Sequence, residues 1–88
     1  MYLTLSQPGK EELTRLNVFT WDIWTSEPAR FTWNYSNRET CFILEGKATV
    51  TTDEQTLCIG PGDLVVFPSG LSCEWEVHET VRKHFIID

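Results

Sequence analysis

From residue 29 onward the chain runs as short apolar or alternating stretches, each stopped within a few residues by Gly, Pro, Asn or Asp. That punctuation constrains the fold more than any other feature, because an amphipathic helix needs a longer uninterrupted run with a 3.6-residue period. Its sharpest instance is Gly60-Pro61-Gly62-Asp63. Proline presets φ for the second position of a turn, and glycine supplies the positive φ of the third. Leu64-Val65-Val66-Phe67 follows as an apolar strand and is halted by Pro68-Ser69-Gly70. Upstream, Ala29, Phe31, Trp33 and Tyr35 alternate with Arg30, Thr32 and Asn34, which puts the two sets on opposite faces of a strand. Glu39 to Leu44 reads as a strand that Glu45-Gly46-Lys47 reverses into Ala48–Thr52, and Asp53-Glu54-Gln55 turns the chain again into Thr56–Ile59. Cys73, Trp75 and Val77 share one strand face, and Val81 to Ile87 forms a last strand with Val81, Lys83, Phe85 and Ile87 on its inner side.

The first third is less regular. Pro8 to Arg15 has room for one or two helical turns, with Glu11 and Glu12 at the end where the helix dipole favours acids. Leu16–Phe19 and Trp21–Trp24 read as strand material. The expectation is one all-β domain over residues 1–88, a sandwich or barrel with a short helical turn near its N-terminus.

Composition narrows the function classes. Seven Lys and Arg stand against thirteen Asp and Glu, a net charge of −6 that leaves no basic patch to neutralise phosphates, so neither nucleic acid nor an anionic membrane is expected as a partner. No apolar run approaches the roughly 20 residues that span a bilayer, and residues 1–8 lack the pattern of a secretory signal. Cys41, Cys58 and Cys73 are odd in number and form no CxxC pair, which fits reduced thiols in a cytoplasmic protein. Nucleophile elbows, phosphate loops and HExxH are absent.

Two spaced motifs carry a resemblance. Glu39 is followed after six residues by Gly46, and after fifteen more comes Gly62-x5-Pro68-x-Gly70. In this order and at this separation they resemble the paired motifs of the cupin superfamily, which implies a jelly-roll β-barrel of the RmlC-like type. Glu39–Gly46, Gly62–Gly70 and the run from Trp75 to Phe85 are similar to the small cupins grouped with (S)-ureidoglycine aminohydrolase. That grouping implies a pocket for a small nitrogenous or polar metabolite and a homodimer, the latter supported by the apolar outer positions Phe42 and Leu44. Metal-binding cupins place two histidines before the motif-one Glu and a third after motif two. Here those positions hold Trp33, Tyr35 and Cys73, and only Glu39 is kept. Indole offers no ligand lone pair and a phenol ionises near pH 10, so a metal-independent pocket with no cofactor is expected. A residual metal enzyme built from Glu39, Cys73 and a histidine, His78 or His84, is the alternative that remains.

The same frame gathers Trp33, Tyr35, Cys41 and Trp75 as candidate ligand contacts, and Glu39, Cys73 and Lys83 as candidate catalytic groups. In the functional reading the aromatics form apolar walls, Glu39 and Lys83 orient polar groups, and Cys73 attacks if its thiolate is favoured. Each residue also has a plainer role. Trp33 and Trp75 would be core aromatics, Cys73 a small buried hydrophobe like Cys41 and Cys58, and Lys83 a stem snorkelling to solvent. With the chemistry lost, the same pocket would be a non-catalytic binding or sensing module.

Overall fold

The computed structural model describes residues 1–88. Two long strands form its spine: β4 (Glu39–Thr51) and β7 (Ser72–Ile87) run antiparallel from Glu39↔Ile87 to Thr51↔Glu74. The first half of β4 carries β6 (Leu64–Phe67) on its other edge, and the second half carries β5 (Thr56–Ile59). The free edge of β7 is divided in the same way between β3 (Ala29–Asn34) along its first half and β2 (Asp22–Ser26) along its second. A short β1 (Thr4–Ser6) extends β6. The result is an all-antiparallel, bent seven-stranded architecture of the jelly-roll kind, as the sequence led us to expect.

Gly46 does not reverse the chain. Instead β4 continues through it with register shifts between Ile43 and Ala48. A β-bulge bends both spine strands while leaving them paired. The residue must be glycine there on two counts. Its φ is +94°, and a Cβ would lie 2.2 Å from the backbone oxygen of Thr80 on the facing strand. The backbones approach so closely that a side chain has no room, a requirement that a turn glycine shares only in its φ. Cys73–Val77 and Val81–Ile87 are likewise one strand, bent opposite this bulge.

Leu16–Phe19 is a second departure. Helix α1 (Lys10–Arg15) ends on Leu16, Asn17 takes a left-handed φ of 61°, and Val18–Thr20 makes a 3₁₀ turn. Its apolar residues serve a different surface from the one strand alternation implies. Leu13 and Val18 cover Phe42 and Leu64 in a small second core, with Trp21 and Leu44 packed beside it. The outer apolar positions of β4 that supported a partner subunit are therefore covered by the chain's own N-terminal segment.

The turn at 60–63 forms as read. Gly62 has φ +91°, and the buried Asp63 carboxylate accepts the Gly60 N–H at 2.8 Å and the Gln7 amide at 2.9 Å. The main core lies between the sheet halves and takes in Tyr35, Cys41, Ile43, Val50, Val65, Phe67, Cys73, Trp75 and Val81. Cys58 is not part of it. It faces outward on the edge strand β5 and is exposed, since its cross-strand neighbour Thr49 lies on the outer face.

Candidate functional site

Strand parity decides what enters the barrel mouth. On β7, Cys73, Trp75, Val77, Val81 and Lys83 point inward and are all buried. Lys83 lies opposite Trp24 on β2 and Ile43 on β4, so its stem is walled by apolar groups and cannot snorkel outward. Its Nζ instead donates to Glu39 Oε2 at 3.0 Å, with Lys83 and Glu39 only 5% and 7% exposed. Glu39, the first residue of β4, stands between Phe67 and Ile87. Two ring systems complete the ammonium's surroundings: its Nζ lies 4.9 Å from the Trp24 centroid and 4.8 Å from that of Trp75. Both the carboxylate and the ring faces stabilise the positive charge.

Aromatic packing fixes the walls. Trp75 sits opposite Phe31, and the two rings stack at 6.1 Å and 7°. Tyr35 stacks on Phe67 at 4.5 Å and 11°, and its hydroxyl accepts a hydrogen bond from Trp75 Nε1 at 3.2 Å. The Tyr35 backbone is clamped by the second motif: its N–H donates to Leu71 and its carbonyl accepts from Gly70. Burial pushes the Tyr35 phenol far above its ordinary range, so the hydroxyl keeps its proton. Trp33, 49% exposed, stands at the rim at a steep angle to Tyr35.

These groups enclose a cavity of about 210 Å³. Its lining includes the predicted Trp33, Tyr35, Trp75, Glu39 and Lys83, and it adds Trp24, Phe31, Phe85 and Ile87, which the sequence reading did not single out as ligand contacts. Phe31, Phe85 and Ile87 were recoverable, since they share strand faces with Trp33 and Lys83. Trp24 was not, because its contact with Lys83 depends on the pairing of β2 with β7. An engineered cavity of roughly 150 Å³ in another protein holds benzene, so this volume suits a single ring with a small substituent.

Cys41 and Cys73 stand behind the wall. Cys73, opposite Trp33 on β3, is buried, with its thiol against Tyr35 and Trp75. Burial pushes this thiol up to about 11, against smaller opposing effects from those two hydrogen-bond partners and from the Lys83 charge. Cys41 is fully enclosed, and burial likewise raises it to about 11 despite the nearby Lys83. Neither thiol is ionised to any extent near neutral pH.

The cupin frame implies a metal, and these residues do not fit one. The Lys83 ammonium already sits against Glu39, where it repels a second cation. The histidines point the other way: His78 bonds Thr49 Oγ1 at 2.8 Å on the outer surface, and His84 donates Nδ1–H to the Trp21 carbonyl at 3.0 Å. No three His, Cys, Asp or Glu side chains converge in a way that could hold an ion. The ligand set Glu39, Cys73 and a histidine therefore does not assemble, because strand parity separates both imidazoles from the other two.

Comparison with known proteins agrees with this architecture. The family model described as the EutQ-like cupin domain matches residues 13–85. A DUF861 family protein from Thermotoga maritima superposes with a TM-score of 0.96 at 45% identity, covering 99% of this chain and all of the other. The EutQ protein of Clostridium difficile shares the fold, with a TM-score of 0.68 at 17% identity over 74% of this chain and 52% of its own length. So does a protein from Salmonella typhimurium described as ethanolamine utilization protein Q, with a TM-score of 0.68 at 21% identity, covering 99% of this chain and 69% of the other. A search of curated proteins finds no match.

Proposed function

The chain belongs to the EutQ-like cupin domain family, and from that premise we propose that it binds a small organic molecule of single-ring size without using a metal. The observation that carries this reading is the aromatic cavity of about 210 Å³ that ends in the buried Lys83–Glu39 pair. Most of the lining is apolar and would cover a planar body, while the ion pair supplies the few polar atoms that orient it. A fixed ammonium takes the place of a bound cation beside Glu39. The motifs similar to the ureidoglycine aminohydrolase group favour a nitrogenous metabolite as the natural ligand. Three free thiols suit the reducing cytoplasm.

Thermal-shift screening against single-ring and small polar compounds tests the proposal. A ligand present at 100 times its Kd stabilises by about 2.7 kcal/mol, on the order of 10 °C or more for a domain of this size. The shift should fall by about half in Trp33→Ala, since binding about tenfold weaker leaves about 1.4 kcal/mol at the same concentration. No shift from any compound in the set would defeat the reading. Metal analysis of untagged protein should find less than about a tenth of an equivalent, since structural and catalytic sites need three or four protein donors.

A catalytic version has Cys73 attacking the ligand, with Glu39 and Lys83 exchanging protons. It requires removal of a proton that burial holds in place, and the thiol stands behind the cavity wall. Turnover that survives Cys73→Ala would rule out the thiol as nucleophile and move the chemistry to the ion pair. Self-association belongs to the same proposal: Ile23 on β2 and Ile86 on β7 remain exposed, as does Phe19 of the 3₁₀ turn, which packs on His84 opposite Ile23, and sedimentation at micromolar concentration reads the outcome.

A further inference from the structure

The two members of the buried pair are not equally satisfied. Lys83 Nζ donates to Glu39 Oε2 and faces the rings of Trp24 and Trp75. An ammonium has three N–H groups to place, and these partners account for them. Glu39 is different. Its Oε2 accepts from Lys83, whereas its Oε1 receives no hydrogen bond from any protein donor. Side-chain oxygens fully sealed from solvent all have partners, so this atom is open to the cavity that Glu39 lines. The neighbouring Tyr35 hydroxyl accepts from Trp75 Nε1 and makes no hydrogen bond to the carboxylate. A carboxylate has about four lone-pair sites, and here those on Oε1 are left without a hydrogen bond from the protein.

Resting on the proposed pocket, we infer the class of its ligand: an uncharged molecule whose ring fills the aromatic cup and whose N–H or O–H donates to Glu39 Oε1. Charge is excluded from both sides. The pair is already neutral, so an anion meets the Glu39 carboxylate while a cation meets the Lys83 ammonium, and each must shed water to enter an apolar chamber. An acceptor gains little, because Lys83 has no donor to spare. A neutral donor completes the carboxylate with a charge-assisted hydrogen bond and leaves the pair intact.

Four probes of matched shape separate these terms: benzamide, acetophenone, benzoate and benzamidine. Acetophenone replaces the amide NH₂ with a methyl group, so it keeps the ring and carbonyl and loses only the donor. Calorimetric titration of the intact protein should show benzamide binding about tenfold or more tighter than each of the other three, the scale of one hydrogen bond to a charged group. In Glu39→Gln, checked for native circular dichroism, the side-chain oxygen would stay with Lys83 and an NH₂ would face the cavity. The benzamide-to-acetophenone ratio should then fall by about tenfold or invert. If acetophenone equals benzamide in the natural protein, the inference fails while the pocket reading stands, because both molecules still bind. Preferred binding of benzoate or benzamidine overturns the neutrality argument in the same way. If none of the four binds, both the inference and the single-ring pocket are refuted. The four affinities in the natural protein decide the matter even if Glu39→Gln does not fold.

Discussion

Removing the Lys83 ammonium should unsettle this domain more than any other single surface or pocket change, and the size of the effect follows from the burial of its partner. Lys83→Met keeps most of the stem volume between Trp24 and Ile43 but leaves the Glu39 carboxylate, 7% exposed, without a cation. Breaking a buried pair from one side costs about 3–5 kcal/mol. Folded domains carry about 0.05–0.15 kcal/mol per residue, so an 88-residue chain stands to lose about a quarter or more of its stability. The double variant Glu39→Leu/Lys83→Met removes both charges and should return to within about 1 kcal/mol of the parent, since well-packed apolar groups replace buried ion pairs at little cost. Urea unfolding at pH 7, with unchanged slope, measures all four corners of the cycle. If Lys83→Met costs less than about 1 kcal/mol and the two substitutions simply add, the pair is not the buried, coupled unit described above.

Other outcomes follow from the same geometry. Gly46→Ala should cost about 3 kcal/mol or more in urea unfolding, because a Cβ meets the Thr80 carbonyl at 2.2 Å, whereas Gly62→Ala, with similar φ but open space around it, should cost only about 1–2 kcal/mol. Trp33→Ala, at the half-exposed rim, should lower stability by about 1 kcal/mol or less yet weaken any ligand tenfold. Cys58 should react with a thiol reagent within minutes in the native protein, while Cys41 and Cys73 react only as the chain opens. Both buried thiols are raised to about 11 in the fold. Their contribution to stability is complete below the unfolded thiol range near pH 8.5 and is lost as pH climbs through about 11, so chemical denaturation midpoints should fall across that window.

Much of this was legible in the chain itself. Period-two alternation placed Cys73, Trp75 and Val77 together, and it set Lys83 on the inner face of its strand. The motif frame added Trp33, Tyr35 and Glu39 to the same mouth. Alternation could not say whether Lys83 stays inside, because a lysine stem can bend toward water wherever an edge is open. The answer came from Trp24 and Ile43 on either side, which only strand pairing reveals. Gly46 misled for a related reason: a glycine flanked by charges marks a tight turn and a bulge equally well, and the distinction lies in the distant Thr80 carbonyl. Leu16–Phe19 shows the limit of reading apolar runs, since Val18 is buried by a 3₁₀ turn as completely as any strand residue. Cys58 was misjudged because a small thiol on an edge strand carries no pattern that tells inside from outside.

The spine of β4 and β7 also governs how the domain comes together. Every rung of that ladder, from Glu39↔Ile87 to Thr51↔Glu74, joins residues far apart along the chain. The entropy of closing those long loops must be met before the pairing repays it, which places folding in the millisecond-to-second range typical of barrels. Glu39 and Lys83 meet only once this ladder has zipped, so the chamber is among the last features to exist and the first to vanish when the strands part.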